Sequence, residues 1–175
     1  GLVMKKLLLV LFAVFCIGMI IPEDFRMPVE GAGKGSYNKK SFWYYPWGSS
    51  VTHKGVDVFA KKGTVIHPST IGIAVGLPEF PKGGKCAIVI GPKWRLHYYA
   101  HMDEVSIPFL SFVTHDSKLG TVGNSGNAAK TPAHLHYSIG TLIPYPWRID
   151  DSRQGWKKIF YLDPVEKLNS FFEKK

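Results

Sequence analysis

The chain is short of cysteine, of acidic residues and of long amphipathic stretches, and each shortage excludes something. Only two cysteines occur in 175 residues, Cys16 and Cys86. Cys16 lies inside an apolar N-terminal run, so no disulfide framework can staple the rest, and a four-cysteine zinc site is excluded. Any bound metal must be held by histidine and carboxylate. There is no His-Glu-x-x-His run, so the helix glutamate that acts as base in the commoner zinc proteases is missing. No internal repeat is present. Asp and Glu number 13 against 22 Lys and Arg, a net charge of +9. Such an excess suits an anionic partner: nucleic acid, a membrane surface or an acidic polymer such as a cell wall. Charge alone does not choose among them.

The composition points to sheet. Apolar residues make up 45% and charged residues 20%, enough to bury a core and to exclude a mainly disordered chain. The length is that of one ordinary domain. Eighteen Gly and twelve Pro imply many turns and short strands. Strand-like runs follow one another at 55–60, 63–67, 70–76, 86–90, 94–101, 118–122 and 134–140, with no amphipathic helix between them. That spacing predicts a mainly β, antiparallel protein. Asp163-Pro164 opens the one good helix signal, an N-cap followed by Pro in the first turn. Val165, Leu168 and Phe172 then recur at near-helical spacing, which predicts a short C-terminal helix packed on the body. Residues 143–156 read as a long loop, and Cys86 as a small buried hydrophobe.

The N-terminus reads as an address. Lys5 and Lys6 precede an unbroken apolar run from Leu7 to Ile21, followed by Pro22-Glu23-Asp24. A basic start with a run of this length is the pattern of a secretory signal, and is shorter than the ~20 residues that span a bilayer. No Ala-x-Ala type cleavage site is present, so 1–21 is a signal peptide or an N-terminal anchor. Either way the chain is expected to be exported, to the cell envelope or beyond. Residues 22–45 are Gly/Lys-rich and read as a lead-in or linker. Deletion of residues 1–24 is expected to leave the fold and its melting unchanged.

Seven histidines stand at 53, 67, 97, 101, 115, 134 and 136. His134-Leu135-His136 lies in a strand-like run whose alternation puts His134, His136 and Ser138 on one face and Leu135, Tyr137 and Ile139 on the other. Two imidazoles on one strand face can share a metal, or one can ligate while the other acts on a substrate; an exposed polar pair is the bland alternative. His53 and Asp57, four apart in an extended chain, again share a face. Imidazole and carboxylate both suit zinc, which takes three protein ligands and a water when catalytic. Taken alone, that spacing is also met in surface salt links. Tyr99-Ala100-His101 ends a strand whose face is expected to carry Arg95, His97, Tyr99 and His101. His67, His97 and His115 read as structural or surface residues. Tyr44, Tyr45 and Trp47 can wall a groove or simply cover the sheet. Gly120, Gly123 and Gly126 lack dinucleotide spacing and read as a tight turn beside the groove.

The order His53-x3-Asp57, Tyr99-Ala-His101, Gly120-Thr-Val-Gly123-Asn124-Ser125-Gly126-Asn127 and His134-Leu-His136 resembles the lysostaphin-type, or M23, zinc peptidases that cut peptidoglycan peptides. The resemblance covers about residues 50–142, and the joint pattern is specific where each element alone is weak. It implies a domain over 46–175, an antiparallel sheet with a groove across it, and Zn²⁺ held by His53, Asp57 and His136. It further implies His101 and His134 as catalytic residues and a peptidoglycan peptide as substrate. The chemistry is consistent: zinc lowers the pKa of bound water to about 7 and polarises a carbonyl, while imidazoles can relay protons. Whether His101 or His134 is the base is left open by the residues.

Three other classes compete. A non-catalytic module of the same fold, binding the wall or regulating a separate hydrolase, would not need all five residues. A non-haem iron oxygenase would use two His and a carboxylate, generally as His-x-Asp, and would leave His101 unexplained. A nucleic-acid binder accounts for the charge but not for the histidines or the export signal.

Overall fold

The computed structural model describes residues 1–174. Nine strands form one antiparallel sheet: β1 (Val56–Phe59), β2 (Val65–Ile66), β3 (Gly72–Gly76), β4 (Lys85–Gly91), β5 (Arg95–Val105), β6 (Ser111–Val113), β7 (Gly120–Val122), β8 (His134–Thr141) and β9 (Tyr161–Leu162). The main path runs β1-β8-β5-β4-β3-β6; β7 pairs with β2 and β5, and β9 with β8. The expected antiparallel sheet and short C-terminal helix are both present. Two short strands, β6 and β9, lie where the sequence pattern shows too few residues to register.

Register sorts the two faces. On β8, Leu135, Tyr137 and Ile139 are fully buried and share the core with Val56 and Val58 of β1 and with Tyr99, Val89 and Ala74 of the inner strands. Helix α2 (Pro164–Glu173) covers this side, its N-cap Asp163 accepting a hydrogen bond from Val165 N at 2.8 Å. Val165 and Leu168 of α2 are buried and Phe172 packs against the cluster. Burying a side chain such as Leu168 contributes about 1.5–3 kcal/mol. With one face filled, the opposite face of β8 and β1 is left to carry polar side chains.

The lead-in is a packed part of this core, which differs from a loose linker. Val29 bridges to Ile66 and Tyr37 to Val58, both side chains are buried, and the Tyr37 hydroxyl reaches Asn169 Oδ1 at 2.8 Å. Glu23, only 3% exposed, is paired with Arg95 and Lys167. Deleting residues 1–24 would therefore remove a buried ion partner, and the structure leads to the opposite expectation, a lowered melting temperature. The reason it escaped the sequence is that these contacts are spaced irregularly and follow no strand or helix period.

Helix α1 (Leu2–Ile20) buries none of its residues. It has 19 residues and a mean hydropathy of 2.3, long and apolar enough to cross a membrane.

Candidate metal and catalytic site

The polar face of β8 and β1 floors a groove of about 750 Å³. Asp57 is directly opposite His136 in the β1–β8 register, and Ala100 of β5 flanks His136 from the other side. His53 enters from the loop before β1. Three ligand-type atoms thereby converge: His53 Nε2 lies 3.1 Å from Asp57 Oδ1 and 3.1 Å from His136 Nδ1, and His136 Nδ1 lies 3.0 Å from Asp57 Oδ1. Among the described residues this is the single group of three such side chains within metal-binding reach.

Backbone carbonyls fix how the imidazoles present themselves. His53 Nδ1 faces the Ser41 carbonyl at 3.0 Å and the Ser41 hydroxyl at 2.8 Å. A carbonyl only accepts, so Nδ1 carries the proton and Nε2 turns a lone pair toward Asp57 and His136. Outer partners of this kind orient metal ligands. His101 Nδ1 donates to the Ser125 carbonyl at 3.0 Å and His134 Nδ1 to the Pro132 carbonyl at 2.8 Å. In both rings Nε2 is left as the reactive nitrogen. The rings of His101 and His134 are 5.0 Å apart, and His101 is 5.9 Å from His136. His134 Nε2 lies 3.9 Å from Asp57 Oδ1.

His101 reaches the groove by an irregularity, not by alternation. Arg95, His97 and Tyr99 point away from the groove, whereas Tyr98 and Ala100 line it. Plain alternation would carry residue 101 to the far side with Tyr99. Instead His101 has φ +62, a left-handed twist that turns its ring back to the groove beside a bulge in β5. The shared face expected for His97 and His101 is thus corrected: His97 is fully buried on the core side, Nδ1 2.6 Å from the Tyr137 hydroxyl. His67 and His115 also sit away from the groove, each with Nδ1 on a backbone carbonyl and Nε2 toward a lead-in carboxylate, Glu30 and Asp24 respectively.

The glycine-rich stretch serves His101. Gly84 and Gly126 both have positive φ and their backbones touch, so a Cβ on either would strike the other strand of the contact. That approach lets Asn127 N donate to Lys82 O at 3.0 Å and brings the Ser125 carbonyl under His101. Of the aromatic lead-in, Trp47 lines the groove with its ring 4.1 Å from His53. Tyr44 instead packs edge-on against Trp47, and Tyr45 meets Arg153. The sequence reading missed Ser41, Ser125 and Pro132, since any residue type offers a carbonyl. It also missed Tyr98, which lies edge-on to His136.

Electrostatics follow from this crowding. Burial raises the Asp57 pKa, but hydrogen bonds and charge from His136 and His53 outweigh it and hold the carboxyl well below the usual range. Burial lowers His136, more than Asp57 restores. His101 is lowered to about 4, first by burial and then by the neighbouring His136 and His134. Imidazole at 101 is therefore neutral at neutral pH. The set can hold a divalent cation on one carboxylate and two imidazoles, with two further imidazoles placed to move protons beside it.

Residues 51–144 match the family model of Peptidase family M23. No curated protein matches the chain. Among solved structures, the chain is similar to a Ruminococcus gnavus chain assigned as a glycyl-glycine endopeptidase lytM, at 19% identity and TM-score 0.65, over 86% of this chain and 61% of that one. It is also similar to a Pseudomonas aeruginosa chain assigned to peptidase M23, at 17% identity and TM-score 0.59, over 95% and 62%. A third is the catalytic domain of the antimicrobial peptidase lysostaphin from Staphylococcus simulans, at 22% identity and TM-score 0.57, over 74% and 89%. The chain spans about three fifths of the first two relatives, and at these identities the likeness shows a shared fold.

Proposed function

This chain belongs to peptidase family M23, and from that premise we propose that it is an exported, zinc-dependent endopeptidase of peptidoglycan peptides. The observation that carries the reading is the convergence of His53 Nε2, Asp57 Oδ1 and His136 Nδ1, with His101 and His134 beside it. A lone pair of His53 aimed at a carboxylate oxygen 3.1 Å away is repulsive unless a cation lies between them. One hard oxygen and two borderline nitrogens fit zinc.

His53, Asp57 and His136 would hold the ion, which supplies Lewis-acid polarisation of a carbonyl and a water of lowered pKa. The remaining steps belong to the chain. Nε2 of His101 or His134 accepts the proton of the attacking water and returns it to the leaving amine, and the other ring, in its imidazolium form, donates Nε2–H to the developing oxyanion. The carbonyls of Ser125 and Pro132 hold Nδ1–H of both rings and so turn each Nε2 into the groove. Tyr98 and Trp47 bound the groove, and Lys82 and Lys157 line it from separate segments. Asp57 is the one acidic residue among those lining it. A groove of that charge suits a peptide bearing free carboxylates. Export is supported by α1 and its Lys5-Lys6 start, and the lead-in from residue 22 folds as part of the catalytic domain.

The test is digestion of purified peptidoglycan of known cross-link chemistry by zinc-loaded protein, by chelated protein and by His134→Ala, with fragments identified by mass. New peptide ends with zinc alone support the proposal. Stoichiometric zinc with no cleavage would favour the non-catalytic, wall-binding module.

A further inference from the structure

Helix α1 meets the domain at a joint formed by Lys93 and Trp94. Lys93 Nζ donates to the Met19 carbonyl at 3.1 Å, and Trp94 Nε1 to the Phe15 carbonyl at 3.0 Å. Met19 is among the last residues of α1, whose carbonyls have no partner within the helix. Lys93 therefore caps the helix and meets the negative end of its dipole. Gly18 admits the indole: a Cβ there would lie 2.5 Å from the Trp94 ring.

The domain's half of the joint is held in an unusual backbone. Lys93 has φ +61 and Trp94 φ +56, a left-handed conformation that costs side-chain-bearing residues roughly 1–2 kcal/mol each. Such conformations persist where the surroundings over-determine them. Beside the joint, Leu142 N donates to the Trp94 carbonyl at 3.1 Å. The chain leaving that point exposes Leu142 at 58%, Trp147 at 78% and Ile149 at 54%. A helix of 19 residues is about 28 Å long, close to the ~30 Å hydrocarbon core of a bilayer. A membrane holding α1 must then end where this turn begins.

We infer that Trp94 and Leu142, with the exposed Trp147 five residues further along the chain, lie in the headgroup layer of the bilayer that α1 crosses, so that the domain is seated on the membrane and not tethered above it. The inference rests on the reading of α1 as a retained span. Indole rings favour that layer, with an apolar body and a polar N–H, and the ammonium of Lys93 suits lipid phosphate. The seat also sets the height of the groove. His136 precedes Thr141, the membrane-side end of β8, by five residues, at most ~17 Å of strand. The groove would be held within that distance of the lipid surface.

The experiment uses the full chain in vesicles of phosphatidylcholine and phosphatidylglycerol whose acyl chains carry bromine near the headgroup, which quenches nearby tryptophan. Trp94→Phe combined with Trp147→Phe is expected to remove most of the quenchable emission, and Trp43→Phe to leave it unchanged. Gly18→Leu, which expels the indole from the joint, is expected to lower quenching and increase the domain's rotational freedom by anisotropy, while alkaline carbonate still fails to extract the protein. Retention in carbonate with quenching unchanged in the double variant would overturn the seated face alone. Extraction by carbonate, or removal of α1 in cells, would overturn both the span and the face. Hydrolysis of peptidoglycan, measured separately, is untouched by either result.

Discussion

Glu23 provides a quantitative test of how the lead-in is held. Its carboxylate, 3% exposed, pairs with Arg95, lies 2.7 Å from Lys167 Nζ and 3.3 Å from His97 Nε2. Burial alone would raise the pKa of Glu23, but His97, Lys167 and Arg95 together outweigh it and hold it at about 2 against an ordinary 4.5. A depression of that size corresponds to about 3 kcal/mol. Because the folded value lies below the unfolded one, this stability is complete above about pH 4.5 and is lost as pH falls toward 2. His97 acts in the same direction: burial lowers its pKa below 6.5, so acid protonates the unfolded chain first. Glu23→Gln keeps the shape and strands two cations, and breaking a buried pair in this way costs about 3–5 kcal/mol. The expected loss at pH 7 is about 3 kcal/mol, or ~6–12 °C in Tm for a domain of this size, with a flatter acid limb. Thermal unfolding from pH 2 to 7, comparing a chain beginning at Pro22 with its Glu23→Gln variant, measures both. A Tm within 2 °C of the parent and an unchanged acid limb would refute the argument.

Two further outcomes are expected at the groove. His53→Ala, Asp57→Asn and His136→Ala should each lose zinc by metal analysis and lose hydrolysis with it, because each removes one of three ligands. His101→Ala and His134→Ala should keep zinc while turnover falls by about 10²–10⁴-fold; if His134→Ala loses zinc and His136→Ala keeps it, the assignment of the two is reversed.

What the sequence discloses and what it hides differ in kind. The β8 pair was legible because alternation along an extended strand is set by backbone geometry, and Leu135, Tyr137 and Ile139 mark the buried side unambiguously. The C-terminal helix was legible because Asp163, Pro164 and the Val165–Leu168–Phe172 spacing are local signals. The partners of the imidazoles were not, since the Ser41, Ser125 and Pro132 carbonyls carry no side-chain signature. Glu23 was hidden for another reason. Its partners Arg95 and Lys167 lie 72 and 144 residues away, and a carboxylate next to an apolar run reads as the polar end of a signal. Long-range pairing of single charges leaves no period to detect.

His101 is the position where strand periodicity pointed to the wrong neighbours, and its backbone makes a decisive prediction. With φ +62 it bears a conformation that costs a residue with a Cβ roughly 1–2 kcal/mol. Three bonds impose it: His101 N donates to Gly83 O at 2.8 Å, Nδ1 to the Ser125 carbonyl at 3.0 Å, and Ser125 Oγ to the Met102 carbonyl at 2.7 Å. If the surrounding fold enforces the twist, His101→Gly should be more stable than His101→Ala by about 1 kcal/mol, although glycine within a strand is ordinarily the weaker of the two by roughly 0.5–1 kcal/mol. Both variants lack the imidazole and its bond to Ser125, so the comparison isolates the backbone. Both should be inactive. Urea unfolding of the two, run with and without chelator so that metal binding is held equal, gives the sign. Should alanine match or exceed glycine, the twist is not imposed by the fold. The ring would then be turned into the groove only by its bond to Ser125, and strain at this position would have no part in presenting it to a substrate.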